Sequence, residues 1–496
     1  MIRELQPRSL LVTAFFIAVL LIDLWHHEMW ADELHAWGLT VSSTSVVDLF
    51  HNLHYEGHPG LWHLLLYGPS RVTDAPTAVK LVHGAIAILV CLMIGLISPF
   101  RLIEKVLLLL NYFVVFEYTV ISRNYGIGLL LALAYAWLRV KAPHRALLAA
   151  VILGALANTN IFALFLSGFL FAEYLWSIVL ARCPPAPAML ARGLGACAIY
   201  LVLLILAVAT FYPAPDISRV AIRPLDAVHI FDPTHFGTTL LQFMVAPFLA
   251  IDFSFPLSFA SPGIYYSPLR IAVATVLLVP IGTAVWLTFH RDARLLAVLT
   301  ATVICSVVFS HSVYDGEIRH FGITFVAFLC CLWLVRSRLP ARSLPILFLL
   351  GLGAISGAVS LAGQWMRPFS DIGPAARWIV DHNLRDAGLI GGQLDVVAGG
   401  VGIMLQRPVY FLYCGCVSRY VRLTNERDDF SVEQTPERLP RAAEALFPRP
   451  LILIVRVPLT TDQLAAAGAR GVTLRLVRAR GRAERDSVTL YAIETK

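Results

Sequence analysis

Charge is scarce in this chain. Only 14% of its 496 residues are Asp, Glu, Lys or Arg, against roughly a quarter in a soluble globular domain. Lysine is almost missing and stands only at Lys80, Lys105, Lys141 and Lys496. There is no internal repeat and no long low-complexity linker. The 8 cysteines are scattered, mostly through apolar stretches, so no disulfide framework is apparent. These shortages exclude a soluble enzyme, a disordered chain and a coiled coil. What is present instead is apolar: 58% of residues are hydrophobic. The chain reads as a polytopic α-helical membrane protein with a modest soluble part.

The formal net charge is +7. In a membrane protein such an excess encodes orientation, because cytoplasmic loops retain Lys and Arg. Nucleic acid is therefore not an expected partner. Arginine in place of lysine, with abundant Ala and Leu, points to a GC-rich bacterial genome and hence to the bacterial cytoplasmic (inner) membrane.

The composition changes near Gln364. Residues 1–363 alternate apolar segments of spanning length with short polar loops, and residues 364–496 read as soluble α/β. Strands are expected at Leu389–Leu394, Pro408–Tyr413, Leu451–Val455, Val472–Val477 and Ser487–Ile493. Helical patterns fall between them at Pro374–Leu384, Val396–Leu405 and Pro436–Leu446. Such alternation predicts a small layered domain. Cys414-Gly415-Cys416 is its one close cysteine pair. A bridge across one residue is strained, so the pair reads as two unbridged thiols.

Basic loops set the threading. Arg3 and Arg8 precede the first apolar run and place the N-terminus in the cytoplasm. Further basic loops hold Arg101 and Lys105; Arg139, Lys141 and Arg145; Arg182 and Arg192; Arg291 and Arg294; and Arg336, Arg338 and Arg342. All lie on one side if spans run through 9–27, 77–97, 104–121, 126–140, 145–159, 161–180, 190–211, 268–289, 294–310, 320–335 and 343–362. That makes about eleven spans at ~20 residues each, some shorter. An odd number leaves the α/β domain outside the cytoplasm. Phe236–Ala260 is read as re-entrant or interfacial.

Residues 29–76 then form a long first external loop with juxtamembrane helices. It opens Met29-Trp30-Ala31-Asp32-Glu33, two adjacent carboxylates just beyond the first span. In Val46–His54 the apolar residues Val46, Leu49, Phe50 and Leu53 share one helical face, as in an interfacial helix. Tyr55-Glu56-Gly57-His58-Pro59 follows. Farther along, Ser122-Arg123-Asn124-Tyr125 lies in the second external loop, and Arg319-His320 opens a late span.

In their order and shared side these motifs resemble the GT-C glycosyltransferases, which include protein O-mannosyltransferases and lipid A aminoarabinose transferases. The resemblance covers about 360 residues in layout, and only a few short motifs in sequence. It implies a sugar transferred from a polyprenyl-phosphate donor to an acceptor hydroxyl outside the cytoplasm. The acceptor could be a lipid, a glycan or a protein, and membrane lipids are the remaining partners.

The resemblance makes Asp32 the general base, with Glu33 tuning it or placing the acceptor. A neighbouring carboxylate raises a pKa, which suits a base. Helix capping is the structural alternative for both acids. Arg123 is the first phosphate ligand, since a planar guanidinium matches phosphate oxygens. Arg319, His320, His58 and Lys80 are further ligands, with snorkelling to head groups as the alternative for the cations. Glu56, Tyr55 and Tyr125 complete the substrate loops. Gly57 separates Glu56 from His58-Pro59, a departure from the more compact motif of the family.

The oligosaccharyltransferase branch of that superfamily holds a divalent cation with carboxylates in the second external loop. Residues 122–126 contain neither Asp nor Glu. No cofactor or metal is therefore expected, with Arg as the charge stabiliser. The competing function is a transporter or flippase for lipid-linked sugars. Transporters show repeats and mid-membrane charges; here the ionisable residues cluster in loops, with Glu117 and Glu173 as exceptions.

Overall fold

A computed structural model describes residues 6–180, 187–218, 232–250, 268–314, 316–340, 342–392, 395–483 and 485–495. Arg3, Arg182 and residues 251–260 of the segment read as re-entrant lie outside the described residues.

The chain is a multi-pass membrane protein with a C-terminal α/β domain. α1 (Pro7–His26) starts with Pro at its first position, where no intrahelical N–H is needed. Three short helices follow: α2 (Ala31–Ser42), α3 (Val46–Leu53) and α4 (Leu61–Ser70). Ser45 Oγ caps α3 by accepting from Asp48 N at 3.0 Å. α5 (Thr77–Leu92) continues through a π turn at Met93–Ile97. Next come α6 (Leu102–Leu109), a π turn at Phe113–Glu117, α7 (Asn124–Lys141), α8 (Ala146–Ala157), α9 (Ile161–Tyr174) and α10 (Pro187–Phe211). α11 (Pro233–Val245), α12 (Pro268–Phe289), α13 (Ala293–Ser312), α14 (Ile318–Val335) and α15 (Leu344–Met366) complete the bundle.

Among the described residues seven helices are long and apolar enough to cross a bilayer: 7–26, 77–97, 187–211, 271–289, 293–312, 318–338 and 344–366. Of the other expected segments, 126–140 lies within the 18-residue α7 and 161–180 is helical throughout, α9 continuing as a π-helix over Leu175–Leu180, whereas 104–121 and 145–159 are helical only in part. α6 ends after 8 residues, and its hydropathy runs on through a π turn whose side chains are all buried in protein. α8 has 12 residues, below the ~20 that span the hydrocarbon.

α14 is the axis of the bundle: 94% of its span window is buried inside the protein. Phe321, Phe325 and Phe328 on this helix are fully buried in one core with Phe113, Phe116 and Tyr118. Its far end is held by Arg336, whose Nη2 lies 2.7 Å from Glu104 Oε1 and whose Nε lies 2.8 Å from Oε2. The sequence placed Arg336 in a basic loop; in the fold it is 5% exposed and Glu104 1%.

The C-terminal sheet runs in the order β3-β2-β1-β4-β6-β5. β1 (Gly388–Gly391) pairs in parallel with β2 (Val409–Phe411) and with β4 (Leu451–Val455), giving a parallel centre. β3 (Cys416–Ser418), β5 (Val472–Arg478) and β6 (Thr489–Thr495) add antiparallel edges. α16 (Ile372–Asp381), α17 (Asp395–Met404), α18 (Thr435–Leu446) and α19 (Thr461–Ala469) supply the helices. All five expected strands exist, though residues 393–394 lie outside the described residues. β3 was not foreseen. Cys414 and Cys416 are bridged by a disulfide, contrary to the expectation of unbridged thiols. Gly415 takes φ +63° between them, a conformation open to glycine, and this turn brings the two sulfurs together.

The α/β domain is not tethered loosely. Leu34, Trp37, Trp62 and Leu66 of the first loop share one buried cluster with Ile372, Val397, Val401 and Ile403. Around it, Asn52 Oδ1 accepts from Tyr420 Oη at 2.8 Å and Arg422 Nη2 at 2.7 Å, and Arg419 Nη1 lies 2.6 Å from Asp74 Oδ2.

Candidate active site

Three chain segments converge where α2 begins. Trp30 precedes the helix, Asp32 lies in its first turn, Arg123 stands just before α7, and Arg319 lies in the first turn of α14. Asp32 Oδ2 is 3.1 Å from Arg123 Nη1 and 3.2 Å from Arg319 Nη2. A third of the Asp32 side chain is exposed, while the Arg123 and Arg319 side chains are less than a tenth exposed. Burial tends to raise the Asp32 pKa, but the charges of Arg123, Arg319 and Arg485 outweigh it and hold the carboxyl below the usual aspartate range. The sequence expectation was the opposite, a pKa raised by Glu33.

Glu33 turns away from Asp32 and is fully buried. Its Oε1 accepts from Ser122 N at 2.5 Å. Its Oε2 accepts from Trp30 N at 3.1 Å and contacts His27 Nε2 at 2.9 Å. Burial alone would raise its pKa; His27 and these N–H groups bring it below the ordinary value. Glu33 thus ties the start of α2 to the residue before Arg123, and it positions both partners of the Asp32–Arg123 pair.

His58 adjoins Arg123: Arg123 Nη2 donates to His58 Nε2 at 3.3 Å. Burial first, and then the Arg123 charge, push the imidazole down to about 3, so it is neutral. Glu56 pairs with His35. Burial opposes both charges, yet each partner favours the other, so the Glu56 pKa falls and the His35 pKa rises.

His320 Nδ1 accepts from Glu317 N at 2.8 Å, which places its ring proton on Nε2 when neutral. Its ring contacts Phe162, Tyr314 and Tyr125 at centroid distances of 5.0, 5.3 and 5.9 Å. Tyr125 stacks on Tyr118 at 5.5 Å, and its hydroxyl is buried without a hydrogen-bond partner. Tyr118, Tyr125, Phe162, Arg319, His320 and Ile323 line a narrow cavity between α7, α9 and α14.

Two sequence-proposed residues lie elsewhere. Lys80 Nζ donates to Trp25 O at 3.1 Å and His27 O at 2.6 Å, capping the carbonyl end of α1. Tyr55 Oη donates to Asp216 Oδ1 at 2.9 Å beside Arg422, at the seam with the α/β domain. Three residues that sequence reasoning missed are present. Glu317 Oε2 lies 2.5 Å from Arg319 Nη1 and 3.2 Å from Arg485 Nη1. Trp30 lies under both arginines, with Cζ-to-centroid distances of 5.1 Å for Arg319 and 4.9 Å for Arg485. Arg485 comes from the loop between β5 and β6, one of many arginines there, with no local pattern to mark it. Among the described residues no group of three or more His, Cys, Asp or Glu is placed to hold a metal ion.

The helical bundle with the α/β domain after it is a fold found in solved structures. Two solved structures share that fold: ArnT from Cupriavidus metallidurans in the apo state, 14% identical at a TM-score of 0.52, and the same protein bound to undecaprenyl phosphate, 13% identical at 0.51. In each case 97% of both chains is covered. No family model and no curated sequence matches the chain.

Proposed function

We propose that the chain is an inverting glycosyltransferase that moves a sugar from a polyprenyl-phosphate donor to an acceptor hydroxyl on a lipid, glycan or protein. The observation that carries this reading is a partly exposed Asp32 held between Arg123 and Arg319, the second of which also lines a cavity with Tyr125 and His320. The bound undecaprenyl phosphate of the similarly folded ArnT supports a polyprenyl-phosphate lipid as the donor carrier.

In this mechanism Arg123 and Arg319 bind the donor phosphate. A phosphate there draws their charge away from Asp32, and the carboxylate pKa rises toward a value useful for a base. The acceptor oxygen attacks C1 of the sugar while the C1–O bond to phosphate breaks. The polyprenyl phosphate leaves with the bonding electrons, stabilised by the guanidinium groups, and the acceptor proton passes to Asp32. Glu33 positions the pair, and His58 accepts from Arg123. No divalent metal takes part. The site faces the extracytoplasmic side of the bacterial inner membrane, with the N-terminus in the cytoplasm.

The test is sugar transfer by purified protein in nanodiscs, given a panel of radiolabelled polyprenyl-phosphate sugars and an envelope extract as acceptor. Wild type runs beside Asp32→Asn, with and without EDTA. The expected result is transfer that resists EDTA and is lost in Asp32→Asn. If no donor is consumed, and both proteins carry lipid-linked sugar across liposomes equally, the chain is a flippase.

A further inference from the structure

The segment Arg485–Asp486 leaves the α/β domain and inserts at the start of α2. Asp486 Oδ2 accepts from Ala31 N at 2.8 Å, and Asp486 O accepts from Asp371 N at 2.8 Å. Arg485 N donates to Phe369 O at 2.9 Å, and Arg485 O accepts from Arg456 Nη2 at 3.2 Å. Its backbone is therefore fixed on both sides, which orders a long side chain that is only 7% exposed.

The Arg485 guanidinium shares Glu317 Oε2 with Arg319. Three guanidinium groups, Arg123, Arg319 and Arg485, contact two carboxylates, Asp32 and Glu317. Arg485 Nε, Arg319 Nε and Trp30 Nε1 are all buried without a hydrogen-bond partner. Buried donors of this kind are normally paired. A phosphate offers the acceptor oxygens that these donors lack.

We propose that Arg485 is a third ligand of the donor phosphate, so that docking of the C-terminal domain completes the anion site. The proposal rests on the function proposed above and deepens it. The α/β domain then contributes a binding residue to the donor site.

The experiment is equilibrium binding of radiolabelled undecaprenyl phosphate to the full-length protein in nanodiscs. Wild type is compared with Arg485→Gln and with Arg419→Ala. The latter removes the Arg419–Asp74 contact between the same two parts of the molecule, away from the cluster. Arg485→Gln should bind at least about tenfold more weakly, the loss of one charge-assisted contact. Arg419→Ala should bind as wild type does. Equal affinity of Arg485→Gln and wild type overturns the assignment while leaving the proposed function standing. An equal loss in Arg419→Ala overturns it too, because domain docking would then account for the effect. No binding by wild type itself overturns the function as well. If Arg485→Gln does not fold, Arg485→Lys serves: weaker binding than wild type supports the role, and equal binding overturns it.

Discussion

Asp32 Oδ2 lies 3.2 Å from Arg319 Nη2, joining the first turn of α2 to the first turn of α14. The general base of the proposed reaction is therefore also the counter-ion of its phosphate site. The two roles compete, and the competition can be measured.

In the donor-free protein the arginines keep the Asp32 pKa below the ordinary 3.8. A base acts when deprotonated, so the acid limb of kcat/KM, which reports the free enzyme, should lie below that value. Bound donor phosphate neutralises the arginines, so the acid limb of kcat should lie higher. A kcat limb at or below the kcat/KM limb would contradict the shared-arginine mechanism. Asp32→Asn should lower kcat by about 10²–10⁴ while binding polyprenyl phosphate at least as tightly, since a negative charge has left the anion site.

Glu33 should behave as a structural acid. Its folded pKa is depressed, so its contribution to stability is complete above the unfolded value of 4.5 and is lost as pH falls through the folded one. Glu33→Ala strands buried His27 and Ser122 N and should cost about 3 kcal/mol. Thermal melts from pH 7 to pH 3 check both points. The variant should show a shallower loss below pH 4.5 than wild type.

Lys80→Met should leave the KM for donor unchanged, because Lys80 spends its protons on the last carbonyls of α1. Its effect should appear in Tm, as loss of a C-terminal helix cation worth about 1 kcal/mol. A raised donor KM at unchanged Tm would return Lys80 to the phosphate site.

Arg336→Met should destabilise by about 3–5 kcal/mol, because it leaves Glu104 charged and buried. The double variant with Glu104→Met should regain most of that loss. Denaturant or thermal unfolding of the pair in detergent reads the difference.

The features legible in the sequence were those set by local pattern. The apolar run Leu451–Val455 could only be a buried strand, and it lies at the centre of the sheet. β3 escaped notice because its three residues sit on an edge with exposed side chains and carry no apolar signal. Hydropathy cannot distinguish a lipid-facing run from one covered by protein: Phe113–Glu117 is buried against α14 and α15. Asp32, Arg123 and Arg319 were singled out by motif, and the fold brings them together. Arg485 could not be singled out, since its partners Glu317 and Trp30 come from distant segments and only the docked domain reveals them. Lys80 shows a related limit of pattern: a cation at a span boundary can serve a neighbouring helix end as readily as a ligand.

α14 meets protein along nearly its whole length. Lipid tails flow around side chains of any shape, whereas packed neighbours do not. Exchanging Leu for Phe on α10 or α12, whose windows are 22% and 17% buried, asks little of the bilayer. The same exchange on α14 meets the intolerance of a solid interior. Within this membrane protein, one helix should therefore evolve by the rules of a water-soluble core.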